Sequence, residues 1–306
     1  MEESMKEYEV KYQEVETGET IAYREAGDKG KTILLIHGNM SSSVHFIPLM
    51  EILESKFKVY AVDLRGSGDS SYNNPVNSLE EFSHDITSFI RLKNLKNIVL
   101  IGWSTGGGIA LETAVDNEGL VDHIFLLSSV GVQGYKVLGS SLNSFGMIDT
   151  KYIYDRKEFT EDALTFRQIL HAYKTRDREY FKLLWDQIYV RKKPCEEDYG
   201  MYLDAVLKQR NYLDLVYSLA NFNMTTTNNG VNEGSGRLFQ LRCPVTILHG
   251  DDDTVAPIED AKLTAKFIGE RAELVVFKNK GHSLITDDLE RVYLEIIGRV
   301  QKREEV

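Results

Sequence analysis

The stretch Asn97–Gly108, "NIVLIGWSTGGG", decides the fold. Its first half is an apolar, β-branched run of strand length; its second half packs four glycines and one serine into seven residues. Glycine is costly inside regular structure, so such a cluster at a strand end marks unusual backbone dihedrals or close approach. The pattern Gly102-x-Ser104-x-Gly106 follows a buried strand and opens the helical run "GGGIALETAV". That context predicts a sharp strand–turn–helix that displays Ser104 and aims the Thr105 N–H and the positive helix end at the same spot. Gly102 and Gly106 admit the turn, and Gly107 and Gly108 let the helix pack closely on the sheet. Trp103 reads as a packing residue beneath it. A phosphate-binding Walker loop would need a lysine here, and the dinucleotide spacing G-x-G-x-x-G does not fit.

Working outward, "KTILLIHG" (31–38) is a continuous apolar run ending at Gly38, as in a strand buried on both faces. Before it come two predicted strands, "EYEVKYQEVE" and "ETIAYREAG", with a turn at Thr17-Gly18. After it come a helix over about 44–55, the strand "FKVYAVDL" and the loop "DLRGSGDSS". Leu79, Phe82, Ile86, Phe89 and Ile90 are spaced for one helical face, with Ser78 and Glu81 placed as a capping box. "VDHIFLLSS" (121–129) is the sixth strand. Strands alternating with helices at this spacing imply βαβ units and a mostly parallel sheet.

The alternation stops near Gly131. Residues 132–237 show no buried-strand run but several aromatic-rich helical stretches: "ALTFRQILHAY", "EYFKLLWDQIYV" and "GMYLDAVLKQRNYLDLVYSLANF". Ten of the sixteen tyrosines fall here, enough to form a packing core with a minority left to line a pocket. The polar "NMTTTNNGVNEGSGR" leads back to "CPVTILHG", a helix over about 258–269, "AELVVFKNKG" and a last helix from about Asp287. The expected organisation is an α/β core in two parts, 1–131 and 238–306, flanked by helices, with a helical cap (132–237) inserted after the sixth strand.

A serine hydroxyl is a poor nucleophile until a base removes its proton. Ser104 therefore demands a histidine and an acid, on this architecture in the order Ser, Asp or Glu, His. His282 follows the last strand in "VVFKNKGHSLITDD". His37 and His249 also end strands, but neither follows the last; His45, His84, His123 and His171 fall where surface or packing roles are expected. The acid lies among Asp251, Asp252 and Asp253 in "TILHGDDDTVAP". Three carboxylates cannot all pair with one imidazole. Both loops are at carboxyl ends of predicted strands, the edge where open α/β sheets gather their sites.

A net charge of −11 argues against nucleic acid or an anionic membrane as main partner. The charged N-terminus "MEESMKEYEV" lacks an apolar signal region, and no apolar run approaches the roughly 18 residues of a membrane span. Cys195 and Cys243 lack metal-type spacing and read as reduced, buried thiols. These features lead to the expectation of a cytoplasmic protein, monomer or homodimer.

Five segments in order carry a family resemblance. "HGN" resembles the oxyanion loop, "DLRGSGDS" the D-x-R-G-x-G-x-S segment, "GWSTGG" the nucleophile turn, "GDDDTVAP" the G-x-x-D-x-x-x-P acid loop and "GHS" the histidine loop of α/β-hydrolase fold serine hydrolases of the small, capped type. The resemblance covers about 20–131 and 238–303. It implies Asp253 as the acid, the backbone N–H groups of Asn39 and Thr105 as oxyanion donors, and a structural role for Arg65-Gly66. It implies hydrolysis of a small or oligomeric carboxylic ester through an acyl-enzyme, with no metal or organic cofactor. A serine at 104 disfavours the dehalogenases and epoxide hydrolases, which carry aspartate there. "HGNMSSS", "GWSTGGG" and "TTTNNG" are similar to bacterial intracellular short-chain-length polyhydroxyalkanoate depolymerases, and "STGGG" to cofactor-free haloperoxidases. A carbon–carbon bond hydrolase and a ligand sensor on the same fold are the competing expectations.

Overall fold

The computed structural model describes residues 5–142, 147–162, 164–189 and 191–301. Ala163 and Val190, at the ends of two predicted helices, and the outermost residues of the predicted domain limits lie outside them. In chain order the core begins with β1 (Lys11–Glu14), β2 (Thr20–Ala26), β3 (Thr32–Ile36), α1 (Ile47–Leu53), β4 (Lys58–Val62), α2 (Leu79–Leu92), β5 (Ile98–Trp103), α3 (Thr105–Asp116) and β6 (Val121–Leu127). An insert follows: β7 (Leu138–Leu142), β8 (Ile148–Tyr152), α4 (Arg156–Glu161), α5 (Phe166–Thr175), α6 (Arg178–Asp186), α7 (Glu196–Val206) and α8 (Tyr212–Ala220). The core resumes with β9 (Val245–Gly250), α9 (Ile258–Ile268), β10 (Ala272–Phe277), α10 (Leu284–Asp287) and α11 (Leu289–Gln301).

Eight strands form one sheet in the order β1-β2-β4-β3-β5-β6-β9-β10. β1 and β2 pair antiparallel at one edge, and every pair from β4 to β10 is parallel. The pleat of β3 explains its continuous apolar run. Ile33 and Leu35 join one core with Leu49, Met50 and Leu53 of α1 and Val292 and Ile296 of α11. Leu34 and Ile36 join the other, with Phe82, Ile86 and Phe89 of α2 and Ile109 of α3. A strand covered on both faces needs no polar side.

Ser78 caps α2 by accepting from Glu81 N–H at 3.2 Å, but the expected capping box is only half formed, since the Glu81 carboxylate accepts from Asn77 N–H instead of Ser78 N–H. β5 is central, and its Gly102 pairs with Ile36 of β3 on one side and Leu126 of β6 on the other. A Cβ at Gly106 would lie 2.1 Å from the Ile36 carbonyl oxygen, so α3 starts against the neighbouring strand only because no side chain intervenes. Gly107 faces Ser129 in the same way, whereas Gly108 faces Leu79 of α2 and Phe222 rather than the sheet.

The insert departs from the helical expectation in two places. It opens with an antiparallel hairpin, β7 with β8. Every residue of β8 is exposed, so the hairpin lacks the buried apolar run by which sequence reading finds strands. The long stretch 200–222 is also broken, with α7 ending at Val206 and α8 starting at Tyr212. The break falls on the polar run Lys208–Asn211, whose side chains and backbone bond to core loops. Cys243 is buried, but Cys195 is only partly so and caps α7, its Sγ accepting from Asp198 N–H. Among the described residues, no helix is long and apolar enough to cross a membrane.

Candidate active site

Ser104 sits between β5 and α3 with φ 54° and ψ −122°, a conformation that L-residues rarely adopt. The backbone holds it there: Ser104 N–H donates to Leu127 O at 3.0 Å, and Ser104 O accepts from Gly107 and Val130 N–H. The loop after β3 passes directly over it. A Cβ at Gly38 would stand 2.8 Å from Ser104 Cβ.

The loops after β9 and β10 are pressed together. A Cβ at Gly250 would lie 2.2 Å from Lys280 O, and Asp252 N–H donates to Lys280 O at 3.0 Å. This contact sets Asp253 Oδ2 2.8 Å from His282 Nδ1. The other oxygen, Oδ1, accepts from Val255 and Ala256 N–H, both at 2.9 Å. Burial alone would raise the Asp253 pKa, but the imidazole and these N–H donors outweigh it, and the group lies below its ordinary value. Asp251 and Asp252 point elsewhere. Asp251 accepts from Asn279 N–H at 2.6 Å and pairs with Lys278, while Asp252 pairs with Arg191.

His282 is held from its far side too. Trp103 Nε1–H donates to His282 O at 3.0 Å, and the two rings lie 5.8 Å apart between centroids. Trp103 is 5% exposed, so it packs under the turn as expected while also fixing the histidine loop. Next to it, His45 stacks on Trp185 at 4.8 Å and Tyr202 at 4.5 Å, side chains of α6 and α7. Burial drives the His45 pKa down to about 3, which keeps the ring neutral.

His37 ends β3, with Nδ1–H on Gly38 O at 2.7 Å and Nε2 accepting from Leu64 N–H at 2.9 Å. It shapes the loop before Asn39. His249 lies under the acid loop, its Nε2–H on Ala256 O at 2.8 Å and 3.5 Å from Asp253 Oδ2. Burial lowers the pKa of both histidines.

A cavity of about 370 Å³ opens beside Ser104. Asn39, Ser104 and Thr105 line it from the core, Phe166, Tyr212 and Val216 from the insert. Among the described residues, the N–H groups of Asn39 and Thr105 have no hydrogen-bond acceptor. Arg65, by contrast, is turned into the protein, where it grips Asp85 through Nε at 2.8 Å and a terminal nitrogen at 2.6 Å.

Sequence reading missed Gln209. It lies at the break between α7 and α8, is 4% exposed, and bonds Asn39 and Met40 of the loop over Ser104. The visible sign was "LKQRN", a polar interruption between two apolar helical patterns.

A model of the alpha/beta hydrolase fold matches residues 31–289. The AB hydrolase superfamily protein YisY of Bacillus subtilis is 26% identical over 269 residues, 86% of this chain and 89% of that protein. The non-heme haloperoxidase of Rhodococcus erythropolis is 23% identical over 295 residues, 93% of this chain and 97% of its own. Among solved structures, the esterase EaEST from Exiguobacterium antarcticum superposes with a TM-score of 0.74 at 19% identity, covering 95% of this chain and 98% of the esterase. At that identity the likeness speaks for the fold alone.

Proposed function

This chain belongs to the alpha/beta hydrolase fold family, and from that premise we propose that it cleaves carboxylic esters with Ser104, His282 and Asp253. The observation that carries the reading is the 2.8 Å contact between His282 Nδ1 and Asp253 Oδ2, in a loop that Trp103, the residue before Ser104, bonds through His282 O. With Nδ1–H donated to a carboxylate kept ionised, Nε2 is the ring nitrogen left to take a proton. It accepts the Ser104 hydroxyl proton as Oγ attacks the ester carbonyl carbon. The carbonyl π pair moves to oxygen, and the oxyanion is met by the N–H groups of Asn39 and Thr105. Comparable donors each contribute on the order of 3 kcal/mol.

The tetrahedral intermediate collapses with expulsion of the alcohol, which takes its proton from His282. Water, deprotonated by His282, then attacks the acyl-enzyme and releases the acid. Asp253 keeps the imidazole in the required tautomer throughout. The insert acts as a cap that excludes water and selects the acyl group through the apolar faces of Phe166, Val216 and Leu219.

The test is labelling and turnover. The wild-type protein is expected to react with a fluorophosphonate and to hydrolyse p-nitrophenyl acetate, and Ser104→Ala to do neither. Turnover retained by Ser104→Ala overturns the scheme. 3-Hydroxybutyrate oligomers, a vinylogous diketone and simple short esters, assayed side by side, separate a depolymerase and a carbon–carbon bond hydrolase from a general esterase. A sensor would bind such a ligand yet turn it over only slowly.

A further inference from the structure

Asn39 is the only proposed oxyanion donor that lies on a loop rather than at a helix start; its N–H lies in the Gly38–Asn39 peptide plane, and the next plane, Asn39–Met40, anchors the residue from its other side. The first, Gly38–Asn39, is fixed by the core: Gly38 O accepts from His37 Nδ1–H at 2.7 Å and Ser41 Oγ at 2.9 Å. The second, Asn39–Met40, is held from the insert. Met40 N–H donates to Gln209 Oε1 at 2.9 Å, shared with Asn39 Oδ1 at 2.9 Å. Asn39 Oδ1 accepts from Gln209 Nε2 at 2.9 Å. Met40 itself is at φ 51°, a left-handed conformation that a non-glycine residue keeps only when held.

Gln209 is fully committed. Its Oε1 also accepts from the Tyr173 hydroxyl at 2.9 Å, and its Nε2 also donates to Asn211 Oδ1 at 2.9 Å. All four of its side-chain hydrogen-bond sites are thereby used. The residues around it are anchored as well: Arg210 N–H donates to Gly66 O at 2.7 Å, and Asn211 Nδ2 to Arg65 O. This short segment is therefore a rigid bracket from the insert to two core loops.

We infer that Gln209 is a positioning residue that sets the Asn39 N–H for the transition state, so that the oxyanion site is complete only with the insert seated on the core. The inference rests on the reading of Asn39 as an oxyanion donor. Because loss of an interaction that acts only on the developing oxyanion lowers kcat without raising KM, the two parameters should separate.

The experiment compares Gln209→Leu, which keeps the volume and removes all four bonds, with Gln209→Glu, which keeps the acceptor for Met40 N–H. Rates are normalised to sites titrated to completion with fluorophosphonate. Removing an oxyanion donor outright costs roughly 10²–10³-fold in kcat, so loosening one is expected to cost about 10- to 100-fold in Gln209→Leu. KM should stay within about threefold, with Gln209→Glu intermediate. Affinity for phenylboronic acid, which forms a tetrahedral adduct at Ser104, should fall with kcat/KM, while affinity for the product acid should not. Full kcat per titrated site in Gln209→Leu overturns the inference, as does a loss carried wholly by KM. If Gln209→Leu does not fold, full kcat in Gln209→Glu with unchanged boronate affinity overturns it equally. Failure of the underlying reading looks different: the wild-type protein would then resist labelling, or Ser104→Ala would keep its activity.

Discussion

Asp253 Oδ2 and His282 Nδ1 meet at 2.8 Å across 29 residues of sequence, while the two aspartates preceding Asp253 serve lysine, arginine and backbone partners instead. Asp253→Asn is therefore expected to lower kcat for a p-nitrophenyl ester by on the order of 10⁴-fold, since the amide favours the wrong imidazole tautomer. Asp251→Asn and Asp252→Asn should stay within about threefold of wild type, as exposed pairs contribute little. Equal losses at all three positions would refute the assignment.

Trp103→Phe keeps the ring beneath the turn but deletes the bond to His282 O. The expected result is a fall in kcat of about tenfold with a stability loss of about 1 kcal/mol, the ordinary net worth of such a bond. Urea unfolding and steady-state kinetics on the same preparation test both. An unchanged kcat would show that the histidine loop is held well enough by Gly281 N–H on Asp287 Oδ2, at 2.7 Å.

Val216 faces the cavity from α8, opposite the core loops. Val216→Phe should shorten the acyl pocket and shift the ratio of kcat/KM for acetate over hexanoate esters by about 10-fold or more toward acetate. A ratio that does not move would place the acyl chain elsewhere.

His45 ties stability to pH. In the unfolded chain its imidazole titrates near 6.5, whereas the folded protein keeps it neutral down to about 3. Its contribution is thus fully present above pH 6.5 and is lost as pH falls from 6.5 toward 3. Between pH 7 and pH 5 this one residue should cost about 2 kcal/mol. His45→Gln keeps the bond that Ser42 N–H donates at this position but cannot take up a proton. Its urea midpoint should be lower than wild type at pH 7, for lack of stacking on Trp185 and Tyr202, and should fall less between pH 7 and pH 5. A parallel fall would assign the acid sensitivity to other groups, such as His37 and His249.

The core was readable because each of its features is local. A strand buried on both faces writes itself as an apolar run, and the loops after such strands carry side chains at fixed offsets from glycines that cannot be replaced. Ser104, His282, Asn39 and Thr105 could each be placed at a strand end, and the shortlist of three aspartates followed from one loop. Residue type alone left the three aspartates equivalent, and Asp253 was singled out by its spacing from Gly250 and Pro257, as the family resemblance implies. The close pass of Gly250 against Lys280 turned that carboxylate toward His282 and the other two away.

The insert was readable only in outline. Its hairpin is too exposed to leave an apolar pattern, and its broken helix is interrupted by residues that satisfy core backbone rather than each other. By itself the sequence determined the α/β core, the strand–turn–helix at Ser104 and the loops that face it, because those follow from side-chain periodicity and backbone sterics over short spans. Only the tertiary structure showed the contact by which Asp253 meets the imidazole, that Trp103 braces the histidine loop, and that Gln209 reaches Asn39. Those contacts join residues far apart in the chain, and their geometry depends on how whole elements pack.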